Sequence, residues 1–302
     1  MAPAGGPYQP RPPLTIGRPC AVFEPRPPEG PSYRPDTVCD GWSTDRLTVR
    51  LASVRGYAHR YHRRPREDDV AVALHEPTGT LVFAVADGVS QAALPHLGAT
   101  LACRTAVDDL LAQLDAPGRR VDWRRTVEAA AWQLVVRTAG PDREPTLEDR
   151  RAAERDLATT LVAGTVTPGP DGTPEALVVR VGDSAAWLLG DGRYTPLFGG
   201  PSRAAEEVIS SAVVPLPRVP HGILPAIVPL PPGTALLVGT DGFGDPLGDG
   251  DGAVAEYFGR RLRRPPTIGE LAYMLDFSRE TFDDDRTLLV VWPRPPGPGA
   301  TS

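Results

Sequence analysis

Four short segments of this chain set carboxylates against apolar runs. In PREDDVAVAL, Glu67, Asp68 and Asp69 precede one. In VFAVADGVS and LLVGTDGFGD, Asp87-Gly88 and Asp241-Gly242 each end one. In FDDDRTLLVVW, Asp283, Asp284 and Asp285 start the last. A carboxylate beside an apolar strand sits at a sheet rim, its backbone fixed by the ladder, and several rims can meet at one point. Carboxylates packed together repel, and burial disfavours their ionised forms. A divalent cation resolves that conflict. No His or Cys flanks these acids, and oxygen-only ligation suits Mg²⁺ or Mn²⁺ rather than Zn²⁺. A glycine after the acid lets the backbone come close, so its carbonyl can also reach a metal. Asp87, Asp241 and Asp284 are therefore expected to converge on a centre that hydrolyses phosphate esters. Taken singly, each Asp-Gly is an ordinary turn, and GDGR at 190–193 and GDGDG at 248–252 read as turns only.

Phosphate capture also needs a cation, and arginine presents a planar fork to phosphate oxygens. Arg60, Arg63, Arg64 and Arg66 all crowd the stretch before the first acids. His59 in the same stretch reads as a structural hydrogen-bonding residue. His62, His75, His96 and His221 read as surface or packing residues. Trp123, Trp132 and Trp187 are core candidates.

The elements that position these residues are legible from pattern. LTVRLASV alternates as a strand, and DVAVALH and TLVFAVADG form a hairpin-like pair joined by EPTG. Cys103, Val107, Leu110 and Leu114 fall at helical spacing within QAALPHLGATLACRTAVDDLLAQL. VDWRRTVEAAAWQLVVRT is a second helix with Asp122 near its start, and a polar stretch, DREPTLEDRRAAERD, follows. ATTLVAGTV, ALVVRVGDS and AAWLLGDGRYTPL read as a β-meander. Residues 199–232 are Pro-rich and read as a flap. TALLVGTDG is a strand, AVAEYFGRRLR and TIGELAYMLDFSRE are helices, and RTLLVVW closes the domain. Strands cluster with helices between them, which implies an α+β fold with two sheets face to face and helices outside. Residues 1–45 read as a Pro-rich flexible arm whose end packs on the domain edge, 46–293 as the catalytic domain and 294–302 as a Pro/Gly tail.

The 302 residues carry a formal charge of −6 and no lysine. That balance argues against nucleic-acid binding. No apolar run is long enough to span a membrane and no signal core is visible, so a cytoplasmic location is expected. Three scattered cysteines argue against a disulfide framework and a zinc knuckle.

Over roughly residues 50–292 the ordered motifs resemble the metal-dependent protein phosphatase 2C family of Ser/Thr phosphatases, bacterial type. ADG at 86–88 resembles its central metal motif, ATTL at 158–161 its Gly-Thr-Thr-Leu strand, and VGDS at 181–184 the strand after it. TDG at 240–242 and DDRT at 284–287 resemble its last two motifs, and GYAHRYHRRPREDD resembles the opening motif of a bacterial subgroup. Ala58, Glu67, Ala158 and Asp285 depart from the pattern, and Val89 stands where some members carry His.

The resemblance implies a four-layer α-β-β-α sandwich. It implies that Asp87 bridges two Mn²⁺ or Mg²⁺ ions about 3.5–4 Å apart, that the Gly88 carbonyl binds the second, and that Asp241 and Asp284 bind the first. Asp68 and Glu67 would hold metal-bound waters, Asp156 would serve a third, weaker site, and Arg63 would bind phosphate. The implied reaction is hydrolysis of phosphoserine or phosphothreonine by a metal-bridging hydroxide, without a covalent intermediate. The implied partners are phosphoproteins and the Ser/Thr kinase that makes them. The departures leave a different class open, a pseudophosphatase that binds phosphoproteins without turnover. Action on a small molecule or on a regulator of transcription factors is a third reading.

Overall fold

The apolar runs fold into strands, and most of the inner ones are buried on both faces. In the computed structural model of the chain, the described residues are 13–21, 23, 25–28, 34–118, 120–169, 171–198 and 214–294. One sheet has the order β1-β2-β11-β10-β7-β8 and the other β3-β4-β5-β6-β9, and every pairing is antiparallel. The strands are β1 (Thr37–Ser43), β2 (Leu47–Val54), β3 (Asp69–His75), β4 (Thr80–Ala86), β5 (Leu161–Thr167) and β6 (Glu175–Val181). They continue with β7 (Ala185–Gly190), β8 (Arg193–Pro196), β9 (Ala226–Pro229), β10 (Thr234–Gly239) and β11 (Arg286–Pro293).

The period of two in each strand builds the layers. Leu51, Phe83, Val162, Leu236 and Leu289 meet in the core between the sheets. Their neighbours turn the other way. Val82 and Ala84 pack under α2 (Pro95–Asp115) and α3 (Trp123–Ala139). Leu237, Leu288 and Val290 pack under α5 (Asp241–Leu247), α6 (Ala253–Arg261) and α7 (Ile268–Leu275). The result is the four-layer α-β-β-α sandwich. Cys103, Val107, Leu110 and Leu114 form the buried stripe of α2, and Asp122 caps α3 by accepting from the Arg125 amide at 3.2 Å.

Several local expectations need correction. The polar stretch after α3 contains α4 (Leu147–Asp156), started by a capping box between Thr146 and Asp149. The three middle strands are not one meander. β5 and β6 pair, but the chain then crosses to the other sheet, where β7 joins β8 and β10. Gly182 makes that crossing at φ 91°, and a Cβ there would meet Thr160 Cγ2 at 2.7 Å. Trp132 is 42% exposed on α3, under the Arg150 guanidinium, and is not core. Trp123 and Trp187 are buried. Within the segment read as a flexible arm, residues 37–43 are an edge strand and Ile16 is buried beside α7. The part of the expected flap at 199–213 and the tail from 295 lie outside the described residues. No helix among the described residues is long and apolar enough to cross a membrane.

Candidate metal centre

Antiparallel pairing explains why four acid segments so distant in sequence meet. Asp69 faces Ala86 in register, so the start of β3 and the end of β4 share one rim. Gly239 faces Leu288, and Arg286 faces Val54, so the end of β10, the start of β11 and the end of β2 share the matching rim of the other sheet. Asp68 joins the rims: its Oδ2 accepts from Thr240 Oγ1 at 2.8 Å and Thr287 Oγ1 at 2.7 Å. Asp87 is fixed through its backbone. Its amide donates to Thr160 Oγ1 at 2.9 Å, and its carbonyl accepts from Thr159 Oγ1 and the Thr160 amide, each at 2.8 Å. Thr160 and Ser184 hydroxyls stand 2.7 Å apart behind it. These hydroxyls hold the acids in place.

The acids act on one another. Burial first, then the charges of Asp285 and Asp284, raise the Asp68 carboxyl well above its ordinary value. Asp87 is raised well above its ordinary value by burial, then by the neighbouring charges of Asp68 and Asp241. Burial also raises Asp241, Asp284 and Glu67, the last to about 7. Two buried oxygens, Asp241 Oδ1 and Glu67 Oε2, have no hydrogen-bond partner. A convergent set of carboxylates with elevated affinity for protons and orphaned oxygens is a donor set fitted to a hard divalent cation. Gly88 follows Asp87 at the same rim, and a Cβ on it would meet the Pro95 backbone at 2.7 Å.

Asp285 has a different task. It accepts from the amides of Gly56, at 2.6 Å, and Glu67. His59 Nδ1 lies 2.9 Å from its Oδ1, and His59 Nε2 lies 3.8 Å from both Glu67 and Asp284. His59, Asp284 and Asp285 bring ligand atoms within 4.8 Å of one another. Burial disfavours a charged imidazole here, but Asp285 and the other acids outweigh it and raise His59 to about 9. With Nδ1 turned to Asp285, His59 presents Nε2 to Glu67 and Asp284, and the trio stands as a charge-paired brace beside the other acids. For Asp285, burial is outweighed by His59 and the two amides, which hold its carboxyl below the ordinary value.

The arginines separate cleanly. Arg60 is buried between Asp36 and Asp276, at 2.8 and 2.7 Å. Arg66 is buried and donates to Ser53 Oγ and the Asp68 carbonyl. Arg63 ends α1 (Tyr57–His62) in the left-handed region, φ 61°, and its exposed side chain donates to the Pro27 carbonyl at 3.5 Å. Arg64 Nη2 lies 2.8 Å from both Glu67 Oε1 and the Ser90 carbonyl. Asp156 is engaged elsewhere, its carboxylate paired with Arg155 at 2.7 and 2.8 Å. Asp183 is exposed, and its charge acts on Asp241 and Asp245. The sequence reading missed Arg34, which donates to the Asp68 carbonyl at 2.7 Å and to Thr100 at 2.7 Å. Only a contact across the fold reveals it.

Comparison with known proteins agrees with this architecture. The family model for protein phosphatase 2C matches residues 55–275, and the chain belongs to that family. The catalytic domain of the serine/threonine protein phosphatase PstP in complex with two manganese ions superposes with a TM-score of 0.52 at 20% identity, covering 83% of this chain and 99% of that one. RsbX in complex with magnesium gives 0.51 at 11% identity, covering 85% and 100%. The Mycobacterium tuberculosis phosphatase PstP/Ppp gives 0.51 at 21%, covering 82% and 98%. These likenesses are of fold. No curated protein sequence matches the chain significantly.

Proposed function

We propose that this chain is a divalent-metal-dependent phosphoserine/phosphothreonine protein phosphatase. The observation that carries the reading is the convergence of Asp68, Asp87, Asp241 and Asp284 with raised carboxyls and an orphaned Asp241 oxygen. Asp87, Asp241, Asp284 and the Gly88 carbonyl would hold Mn²⁺ or Mg²⁺, as PstP and RsbX are described with those ions. Asp68 and Glu67 would orient water at the site. Asp156 would join a third site only by leaving Arg155. When bound, such cations neutralise the acids, supply Lewis acidity and lower the pKa of water. The protein's own part is positioning: the threonine hydroxyls fix the acids, and Arg64 offers N–H groups to a phosphoryl oxygen. Val89, two residues after Asp87, cannot donate a proton to the leaving group, so that proton would come from water. The substrates would be phosphoproteins made by a Ser/Thr kinase in the cytoplasm. Turnover of p-nitrophenyl phosphate and a phosphopeptide with Mn²⁺ tests this. Absence of turnover, or turnover unchanged in Asp87→Asn, sinks it.

One observation favours the pseudophosphatase reading. The His59 imidazole, raised to about 9, already places a cation near Glu67 and Asp284. That reading expects weak Mn²⁺ binding, and tight binding by calorimetry counts against it.

A further inference from the structure

The chain ahead of β1 lies outside the family match, which begins at residue 55. Its described part, within 13–28, is tied to the domain at two places. At the first, Thr15 bridges Ser278 and Ile16 is buried beside α7. The Ile16 amide donates to the Ser278 carbonyl at 3.2 Å, the Ser278 amide to the Leu14 carbonyl at 2.8 Å, and the Glu280 amide to the Arg18 carbonyl at 2.7 Å. At the second, the strap crosses α1. Phe23 meets Tyr57 and Tyr61 edge-on, with ring centroids 6.2 and 5.6 Å apart. The Arg26 amide donates to the Arg60 carbonyl at 3.4 Å, its guanidinium lies 5.7 Å from the Tyr61 ring centre, and its carbonyl accepts from Arg55 at 3.0 Å.

The helix α1 has six residues. A helix that short is not stable alone. Its other side carries His59, buried against Asp285, Glu67 and Asp284. So α1 stands between the strap and the acid cluster.

We infer that the described residues within 13–28 are a positioning strap: through Phe23 and Arg26 they hold α1, and with it His59 and the Arg64–Glu67 turn, against the candidate metal ligands. This rests on the proposed metal centre. It adds that the site's geometry depends on a segment outside the matched domain. Phe23 and Arg26 act through α1 and are positioning residues.

The test uses the full chain carrying Phe23→Ala and Arg26→Ala together, which leaves the Ile16 anchor in place. In metal-free protein, amide hydrogen exchange across residues 57–62 should accelerate roughly five- to a hundredfold, the size expected from losing two aromatic contacts. Exchange in β10 and β11 should stay unchanged. Mn²⁺ affinity by calorimetry should weaken in step, and Phe23→Tyr should keep both readouts at wild-type values. Unchanged exchange at 57–62, or equal acceleration in β10 and β11, would overturn the positioning role. Wild-type protein that binds no Mn²⁺ overturns the metal centre instead, and the exchange readout still decides whether the strap holds α1.

Discussion

His59 Nδ1 lies 2.9 Å from Asp285 Oδ1, and the same carboxylate accepts from the Gly56 and Glu67 amides. One buried side chain thus ties both ends of the loop that carries α1. The folded protein holds the His59 proton more tightly than the unfolded chain does, because its value rises from 6.5 to about 9 against the opposing effect of burial. The resulting stability is fully present below about pH 6.5 and fades as pH rises through about 9. In metal-free protein, wild type should therefore exceed His59→Gln in stability near pH 6, with the gap closing by about pH 10. Urea unfolding across that range measures it. A gap that widens with pH contradicts the ion pair.

The acid cluster predicts the opposite use of a cation. Asp68, Asp87, Asp241 and Asp284 have raised carboxyls, with burial the largest cause in each. Such groups bind protons more tightly folded than unfolded, so they disfavour the metal-free fold as pH climbs above their unfolded value. At about pH 8, Mn²⁺ at a hundred times its Kd should add about 2.7 kcal/mol of stability. With EDTA, Asp87→Asn should be at least as stable as wild type, since it removes one of the repelling charges. Thermal unfolding with and without Mn²⁺ reads both effects. A Tm indifferent to Mn²⁺ would remove the metal centre from the account.

Arg64 and Arg63 are adjacent in sequence and differ in placement. Arg64 touches Glu67 and the Ser90 carbonyl, whereas Arg63 faces the Pro27 carbonyl. Hydrogen bonds to a charged group contribute about 1.5–3 kcal/mol. Arg64→Ala should accordingly raise KM for p-nitrophenyl phosphate by roughly ten- to a hundredfold. Arg63→Ala should change it no more than about twofold. Steady-state kinetics on the two variants decides between them, and the reverse ranking would restore Arg63 as the phosphate ligand.

These placements mark where sequence reasoning succeeds. The inner strands were legible because both their faces are largely buried, which makes each a near-continuous apolar run, whereas the exposed edge strand β1 was not. The rim acids were legible because each adjoins such a run. The helix α4 was passed over because it buries little beyond Asp149 and Ala153, although its Thr146–Asp149 capping box was in plain view. The crossing at Gly182 was missed because a glycine turn between two strands looks the same whether they pair or part. Arg34, and the joining of His59 to Asp285, are contacts between residues far apart in the chain, and no local pattern encodes them. Spacing alone does not separate Arg63 from Arg64, because α1 ends in a left-handed turn at Arg63, which a count of spacing does not register.

Gly242 provides the sharpest steric prediction. It sits in the first turn of α5, beside Asp241, and a Cβ there would stand 1.9 Å from the Asp285 carbonyl oxygen. A methyl group therefore forces the start of α5 away from the start of β11, and so Asp241 away from Asp284. Overpacking of this kind typically costs about 1–3 kcal/mol. Displacing a catalytic group by about 1 Å can lower turnover roughly a hundredfold. Gly269 is the control: it also lies in the first turn of a helix, but a Cβ there meets nothing within 4 Å. Gly269→Ala should leave Mn²⁺ binding intact and add up to about 1 kcal/mol through helix propensity. Gly242→Ala should lower both the unfolding midpoint and Mn²⁺ affinity. Thermal unfolding and calorimetry on the pair separate the two effects, and a Gly242→Ala protein with wild-type Mn²⁺ affinity would show that the two acids need not keep this spacing.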